Sequence, residues 1–249
     1  MRTIVITGGG SGIGRAIALR QAARGDRVVL LDRDQSGGDE TLREITSQGG
    51  AAKSLVCDVS DTESVRSAFD RLDRVDGLVN NAGIAHVGNV QQTTPDDLDR
   101  LYRVNVKGVY HALYFAIPKM LSQGQGVVLN LASIASKVGI VDRFAYSMTK
   151  GAVLTMTLSV ARDYIDKNIR CNCICPARVH TPFVDGYLEK NYPPDERAAM
   201  FRKLSEYQPL RRMGRPEEVA ALAEFLLSDA AAFITGAAYD LDGGVIGLR

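Results

Sequence analysis

The sequence predicts a doubly wound α/β domain, and three observations predict it. Short, almost wholly apolar runs recur along the chain, and helical patterns separate them. Runs without polar alternation suit strands buried on both faces, the condition of a parallel sheet covered by helices on both sides. Finally, no Pro/Ser-rich linker and no repeat with a period of about 20–50 residues interrupts the 249 residues. That length is ordinary for one α/β unit with its own core, so residues 1–249 read as a single domain.

Taken in order, residues 3–7 (Thr-Ile-Val-Ile-Thr) form the first apolar run, and a helical pattern follows over 12–24. Residues 27–31 are a second strand, 41–48 a weak helix and 51–57 a third strand. Residues 62–72 are helical, with Asp61 as the N-cap. Residues 77–80 are a fourth strand. The pattern over 95–121 reads as a long helix or a broken pair, because Asn105 and Gly108 interrupt it. Residues 126–131 are a fifth strand, 144–166 a long helix and 169–175 a sixth strand. Residues 216–228 are a helix whose Pro216 suits a first turn, and 237–241 are the last strand. The long helix is apolar around most of its circumference, from Ala145 and Met148 through Val153, Leu154 and Leu158 to Ala161. One side can face the sheet, so the other predicts a contact with a second copy of the chain.

Composition excludes several classes. Lys and Arg number 30 against 29 Asp and Glu, so no global charge bias points to nucleic acid or an anionic membrane. No stretch approaches the ~18 apolar residues of a membrane span, and the N-terminus lacks the apolar core of a signal peptide. The expected compartment is the cytoplasm. Cys171, Cys173 and Cys175 alternate, which places them on one face of a strand as small buried hydrophobes. Their spacing is not that of a zinc site, so no metal is expected. Arg211, Arg212 and Arg215 read as a solvated turn before a helix.

The chemistry is concentrated in four places. Thr7-Gly-Gly-Gly-Ser-Gly-Ile-Gly14 follows a strand and opens a helix, with glycines at Gly8, Gly12 and Gly14. Such a turn brings backbone close to a diphosphate at the helix N-terminus, where Ser11 and Ile13 also lie. Asp32 ends the second strand 18 residues later, where a dinucleotide site needs an acid for ribose hydroxyls. That carboxylate repels a 2′-phosphate and favours NAD over NADP, while Arg15 and Arg33 flank the corner and pull the other way. Asp58-Val59 follows the third strand, with Asp58 placed for an adenine amino group, and Asn80-Asn-Ala-Gly83 follows the fourth. The fourth place is Tyr146 and Lys150, one turn apart on one helix face, with Ser133 thirteen residues earlier. An ammonium and a positively charged nicotinamide both favour phenolate. Lowering the phenol pKa by ~3 units takes about 4 kcal/mol of differential interaction.

Together these residues resemble the short-chain dehydrogenase/reductase family, from Thr7-Gly-x-x-x-Gly-Ile-Gly14 to Asp242-Gly-Gly244. The resemblance implies a Rossmann-type domain with a seven-stranded parallel sheet, often a tetramer built through the long helices. It implies a catalytic tetrad of Asn105, Ser133, Tyr146 and Lys150. Tyr146 is then the acid/base. Lys150 lowers its pKa and holds ribose hydroxyls, Ser133 orients the substrate oxygen, and Asn105 supports a water that relays protons. The resemblance also places Asn80, Ala82 and Gly83 beside the cofactor. Pro176, Val179 and Thr181 are then on its nicotinamide side, in a segment where Ala177 replaces the family's usual glycine.

The segment from Val141 to Lys150, with 169–176, is similar to cytosolic-type 3-hydroxybutyrate dehydrogenases and to bacterial sugar and deoxy-keto-sugar-acid dehydrogenases of that family. A hydroxy acid or a sugar derivative is the expected substrate. Arg143, three residues before Tyr146, suits a substrate carboxylate, unless it pairs with Asp142 or a neighbouring subunit. Arg178 and His86 are further candidates. Residues 181–214, polar and bearing Pro182, Pro193, Pro194 and Pro209, read as a substrate lid, although a plain surface insertion fits the same letters. Two other functions remain open at this point. An NADP-dependent 3-oxoacyl-type reductase is opposed by Asp32, and a catalytically silent dinucleotide sensor is opposed by the intact tetrad.

Overall fold

Seven strands build one parallel sheet: β1 (Thr3–Thr7), β2 (Arg27–Asp32), β3 (Ala51–Val56), β4 (Gly77–Asn80), β5 (Gly126–Leu131), β6 (Ile169–Pro176) and β7 (Ala238–Leu241). Their order is β3-β2-β1-β4-β5-β6-β7. The computed structural model describes residues 1–248. After β3 the winding reverses and β4 pairs with the free edge of β1, in register from Ile4 opposite Gly77 to Thr7 opposite Asn80. The carboxyl ends of β1 and β4 diverge at that switch point, and a crevice opens above them.

Successive strand residues enter opposite cores. Val5, Val29, Leu31 and Val128 pack under α3 (Thr62–Asp70), α5 (Gly108–Gln123) and α6 (Phe144–Asp163), where Phe69, Leu113 and Val153 meet them. Ile4, Ile6, Leu30 and Leu129 pack under α1 (Gly12–Ala23) and α9 (Pro216–Leu227), against Ile17 and Leu226. Two buried faces explain why the strands carry no polar alternation. Cys171, Cys173 and Cys175 lie on the first face, buried and free, as does Cys57. Burial raises the Cys57 thiol to about 11 and holds Cys171 protonated as well.

Two elements depart from the sequence expectation, and a third decides between its two readings. Helix α2 spans Gln35–Ser47 and starts six residues before 41. Asp34 caps it by accepting from the Ser36 amide. Glycine at position 38 is needed for packing, since a Cβ there would stand 2.5 Å from Ser54 Oγ. The pattern over 95–121 is unbroken: α4 (Pro95–Leu101) runs through a π-helical turn, Tyr102–Lys107, into α5. Asn105 and Gly108 widen the helix without ending it. Residues 181–214 hold two helices, α7 (Pro182–Asn191) and α8 (Pro194–Glu206), each with proline in its first turn. In α6 the buried positions Ala145, Thr149, Val153, Thr157 and Ala161 form one stripe toward the sheet, while Phe144, Met148 and Leu158 are exposed. Among the described residues no helix is long and apolar enough to cross a membrane.

Candidate active site

A cleft of about 540 Å³ runs over the carboxyl ends of β1 to β6. At one end α1 points its N-terminus into the space. Ser11 at its N-cap makes no side-chain capping bond, so first-turn amides remain available to an anion. Gly12 holds φ +51°, a left-handed conformation costly for other residues. A Cβ at Gly14 would lie 2.0 Å from Gly8 O, so the helix can approach the loop only with glycine there. These amides and the bare backbone around them fit a diphosphate.

The next part of the wall comes from β2 and β3. Asp32 is locked at the end of β2, its carboxylate accepting from Gly10 N at 2.8 Å and Asp34 N at 3.0 Å. Asp58 accepts from Ser60 N and Ser60 Oγ at 2.8 and 2.7 Å and lines the cleft. Arg33 lines it too, whereas Arg15 is held by Glu40 and Glu44 at 2.8 and 2.6 Å and does not. At the switch point Asn81 clasps the two strand ends: its amide donates to Thr7 O and Gly8 O, while Asn81 N and Ala82 N donate to Thr7 Oγ1.

Ser133, just past β5, and Tyr146, on the first turn of α6, meet in the middle of the cleft. Burial pushes the Tyr146 phenol above its ordinary pKa, and the Ser133 hydroxyl and the Arg143 guanidinium pull it back. Lys150 stands beside the Tyr146 ring. Its Nζ lies 5.9 Å from the ring centroid and donates to Leu131 O at 2.7 Å, while burial lowers its own pKa to about 8. Asn105 lies behind the wall. Its Oδ1 accepts from Ile84 N at 2.8 Å and its Nδ2 donates to Ile84 O at 2.9 Å. The side chain therefore clamps the loop after β4.

Beyond Tyr146, Arg143 and Arg178 converge. Arg143 does not pair with Asp142; its Nη1 donates to His86 O at 3.1 Å. The Arg178 guanidinium lies 5.2 Å over the Tyr207 ring, and its buried Nε has no partner. Burial and the neighbouring Arg143 charge both lower the Arg178 pKa, and no carboxylate is among the groups acting on it. Ile84, Ile140, Phe183 and Val184 supply an apolar wall opposite. Among the described residues no group of three or more His, Cys, Asp or Glu is arranged to hold a metal.

A family model described as enoyl-(acyl carrier protein) reductase matches residues 8–246. The chain is 39% identical to 2-(S)-hydroxypropyl-CoM dehydrogenase 3 of Xanthobacter autotrophicus, over 97% of this chain and 95% of that protein. The chain belongs to the short-chain dehydrogenase/reductase family. Its fold superposes on levodione reductase with a TM-score of 0.94 at 32% identity, covering 100% of this chain and 98% of the other. It also superposes on actinorhodin polyketide ketoreductase, determined with NADPH, with a TM-score of 0.91 at 29% identity over 99% and 97% of the two chains.

As a short-chain dehydrogenase/reductase, this protein is an oxidoreductase acting on an alcohol or ketone, and its fold binds a nicotinamide dinucleotide. Of the residues expected at the site, Gly8, Ser11, Gly12, Ile13, Asp32, Arg33, Asp58, Val59, Ala82 and Gly83 line the cleft. So do Ser133, Arg143, Tyr146, Lys150, Pro176, Arg178, Val179 and Thr181. Four do not. Gly14 packs against Gly8. Asn80 turns into the sheet and donates to Asn130 Oδ1 at 2.8 Å, so Asn81 lines the cleft in its place. Asn105 reaches the cleft only through Ile84. His86 offers Arg143 its backbone carbonyl, while its ring Nδ1 lies 3.6 Å from Asp97 Oδ1. Asn81 is the residue the sequence reading passed over. Its signal was parity, because the last strand residue and the one after it point to opposite sides.

Proposed function

We propose that this short-chain dehydrogenase/reductase is an NAD-dependent dehydrogenase of a secondary alcohol that carries an anionic group, a hydroxy acid or a sugar-derived acid. The observation that carries the substrate class is the convergence of Arg143 and Arg178 beside Tyr146, with no carboxylate among the described residues acting on Arg178. Two neighbouring guanidiniums repel each other, a cost that a bound oxyanion returns as charge-assisted hydrogen bonds. NAD is favoured by the Asp32 carboxylate at the end of β2, and by Arg15 being taken up by Glu40 and Glu44. The α1 amides would hold the diphosphate, Asp32 the adenosine ribose, Asp58 the adenine and Lys150 the nicotinamide ribose. When bound, the oxidised nicotinamide accepts the hydride and brings a positive charge beside the phenol. Tyr146 takes the hydroxyl proton of the substrate as the carbonyl forms, and returns it in the reverse direction. Ser133 donates to the substrate oxygen and keeps it near Tyr146. The exposed apolar side of α6 supports a homo-oligomer, and four free buried thiols suit a reducing cytoplasm.

The test is formation of reduced cofactor from NAD and from NADP over matched panels of hydroxy acids, sugar acids and neutral sugars. Turnover is expected with NAD and acids, and Tyr146→Phe should abolish it. Arg143→Ala should raise KM for acids at least about tenfold and leave neutral alcohols unchanged. Equal effects on both panels would remove the anion site.

A further inference from the structure

Thr149 lies on α6 between the two reacting side chains, one residue before Lys150, and is fully buried. Its hydroxyl donates to Tyr146 O at 2.8 Å and accepts from Asn105 Nδ2 at 3.1 Å. A hydroxyl has one proton, and here that proton is committed to a carbonyl that can only accept. The Thr149 oxygen therefore faces Asn105 as an acceptor, and Asn105 must turn its NH2 toward it. Ile84 demands the same orientation, its N–H donating to Oδ1 and its carbonyl accepting from Nδ2. One hydroxyl thus ties to α6 an amide that holds both the N–H and the C=O of Ile84. Ile84 is part of the cleft wall, as are Tyr146 and Lys150.

We propose that Thr149 is a positioning residue of the reaction, acting through Asn105. It locks the wall at Ile84 to the same helical turn that carries Tyr146 and Lys150. Without the Thr149 acceptor, one buried Asn105 N–H loses its partner and the clamp on Ile84 is no longer tied to α6. The wall at Ile84 can then shift relative to Tyr146. A displacement there acts on the chemical step, because reactivity depends steeply on alignment. The α1 end of the cleft, which would hold the diphosphate, is untouched.

This proposal rests on Tyr146 being the acid/base, so Tyr146→Phe is measured alongside: turnover by that variant would sink the acid/base reading and this proposal with it. Thr149→Val keeps the shape and removes the hydroxyl, and Thr149→Ser returns it. With the purified full chain, kcat and KM for the oxidised substrate are measured from pH 6 to 10, and the cofactor Kd by fluorescence titration. The expected result for Thr149→Val is a fall in kcat of at least about tenfold, with cofactor Kd within about twofold of wild type. Its pH profile should be displaced, and Thr149→Ser should recover both rate and profile. A Thr149→Val enzyme with wild-type kcat and pH profile overturns the proposal, whatever its Tm. So does a Thr149→Ser enzyme that recovers Tm without recovering rate. Should the valine variant fail to fold, Thr149→Ala is judged by the same criteria.

Discussion

Tyr146 and Lys150 stand one helical turn apart, and burial acts on both toward the neutral form. It raises the phenol and lowers the ammonium to about 8. In the free chain above about pH 8, neither group carries its working charge, so the ion pair drawn for this family must be completed by what binds. The sign of the consequence follows. A ribose hydroxyl accepting from Lys150 favours the ammonium, so cofactor binding above pH 8 draws in a proton. The dissociation constant for NAD should be flat below about pH 7 and rise as pH passes through about 8, until the raised pKa of the complex is reached. Fluorescence titration across pH 6.5–9.5 checks this, with Lys150→Met expected to bind more weakly and with no inflection near 8. A wild-type curve without that inflection would remove Lys150 as the ribose donor. Before the cleft was assembled, residue identity alone could not give the Lys150 bond to Leu131 O. That bond depends on where β5 ends relative to the turn of α6.

At the scale of elements, the strands were legible because two buried faces leave apolar runs. The helices whose sequences are mostly polar were less so. Pro216 marks a first turn, and the same sign at Pro182 and Pro194 marks α7 and α8 within an otherwise polar segment. The π-helical turn was hidden because Asn105 and Gly108 look like breakers in any helical pattern. The segment read as a lid closes on itself: Gly214 N donates to Arg178 O and His180 N to Gly214 O, each at 2.9 Å. It has a small core of its own around Leu188, Leu204 and Met213, apart from the two cores of the sheet. Removing Leu188 should therefore loosen the lid locally. Leu188→Ala costs about 2 kcal/mol there. It should raise substrate KM and the rate of proteolytic cutting within 181–214, with NAD affinity and the main thermal transition almost unchanged. An equal loss of NAD affinity would show that the lid is one unit with the dinucleotide half.

At the scale of the whole molecule, the two cores account for the buried stripe of α6 but not for its outer side. Phe144, Met148 and Leu158 are 46%, 42% and 48% exposed, and on α5 Tyr110 and Tyr114 are 51% and 59% exposed. Scattered exposed hydrophobics need no explanation, but rows of large apolar and aromatic side chains on two core helices suit a covered surface. A covering second copy would meet the outer side of the helix whose inner side carries Thr149, Lys150 and Val153. Assembly would then hold the catalytic turn from both sides and add to its stability by mass action. Sedimentation of the wild-type chain at micromolar concentration should give an oligomer, with a Tm that rises with concentration. Leu158→Glu places a charge on the outer side alone, so it should yield a smaller species with unchanged far-UV circular dichroism. Its activity should fall as the protein is diluted, whereas wild-type activity per chain stays constant over the same range. A wild-type chain that sediments as a monomer at every concentration, with Leu158→Glu indistinguishable from it in rate and Tm, would leave the apolar rows as solvent-facing surface and confine catalysis to the single chain.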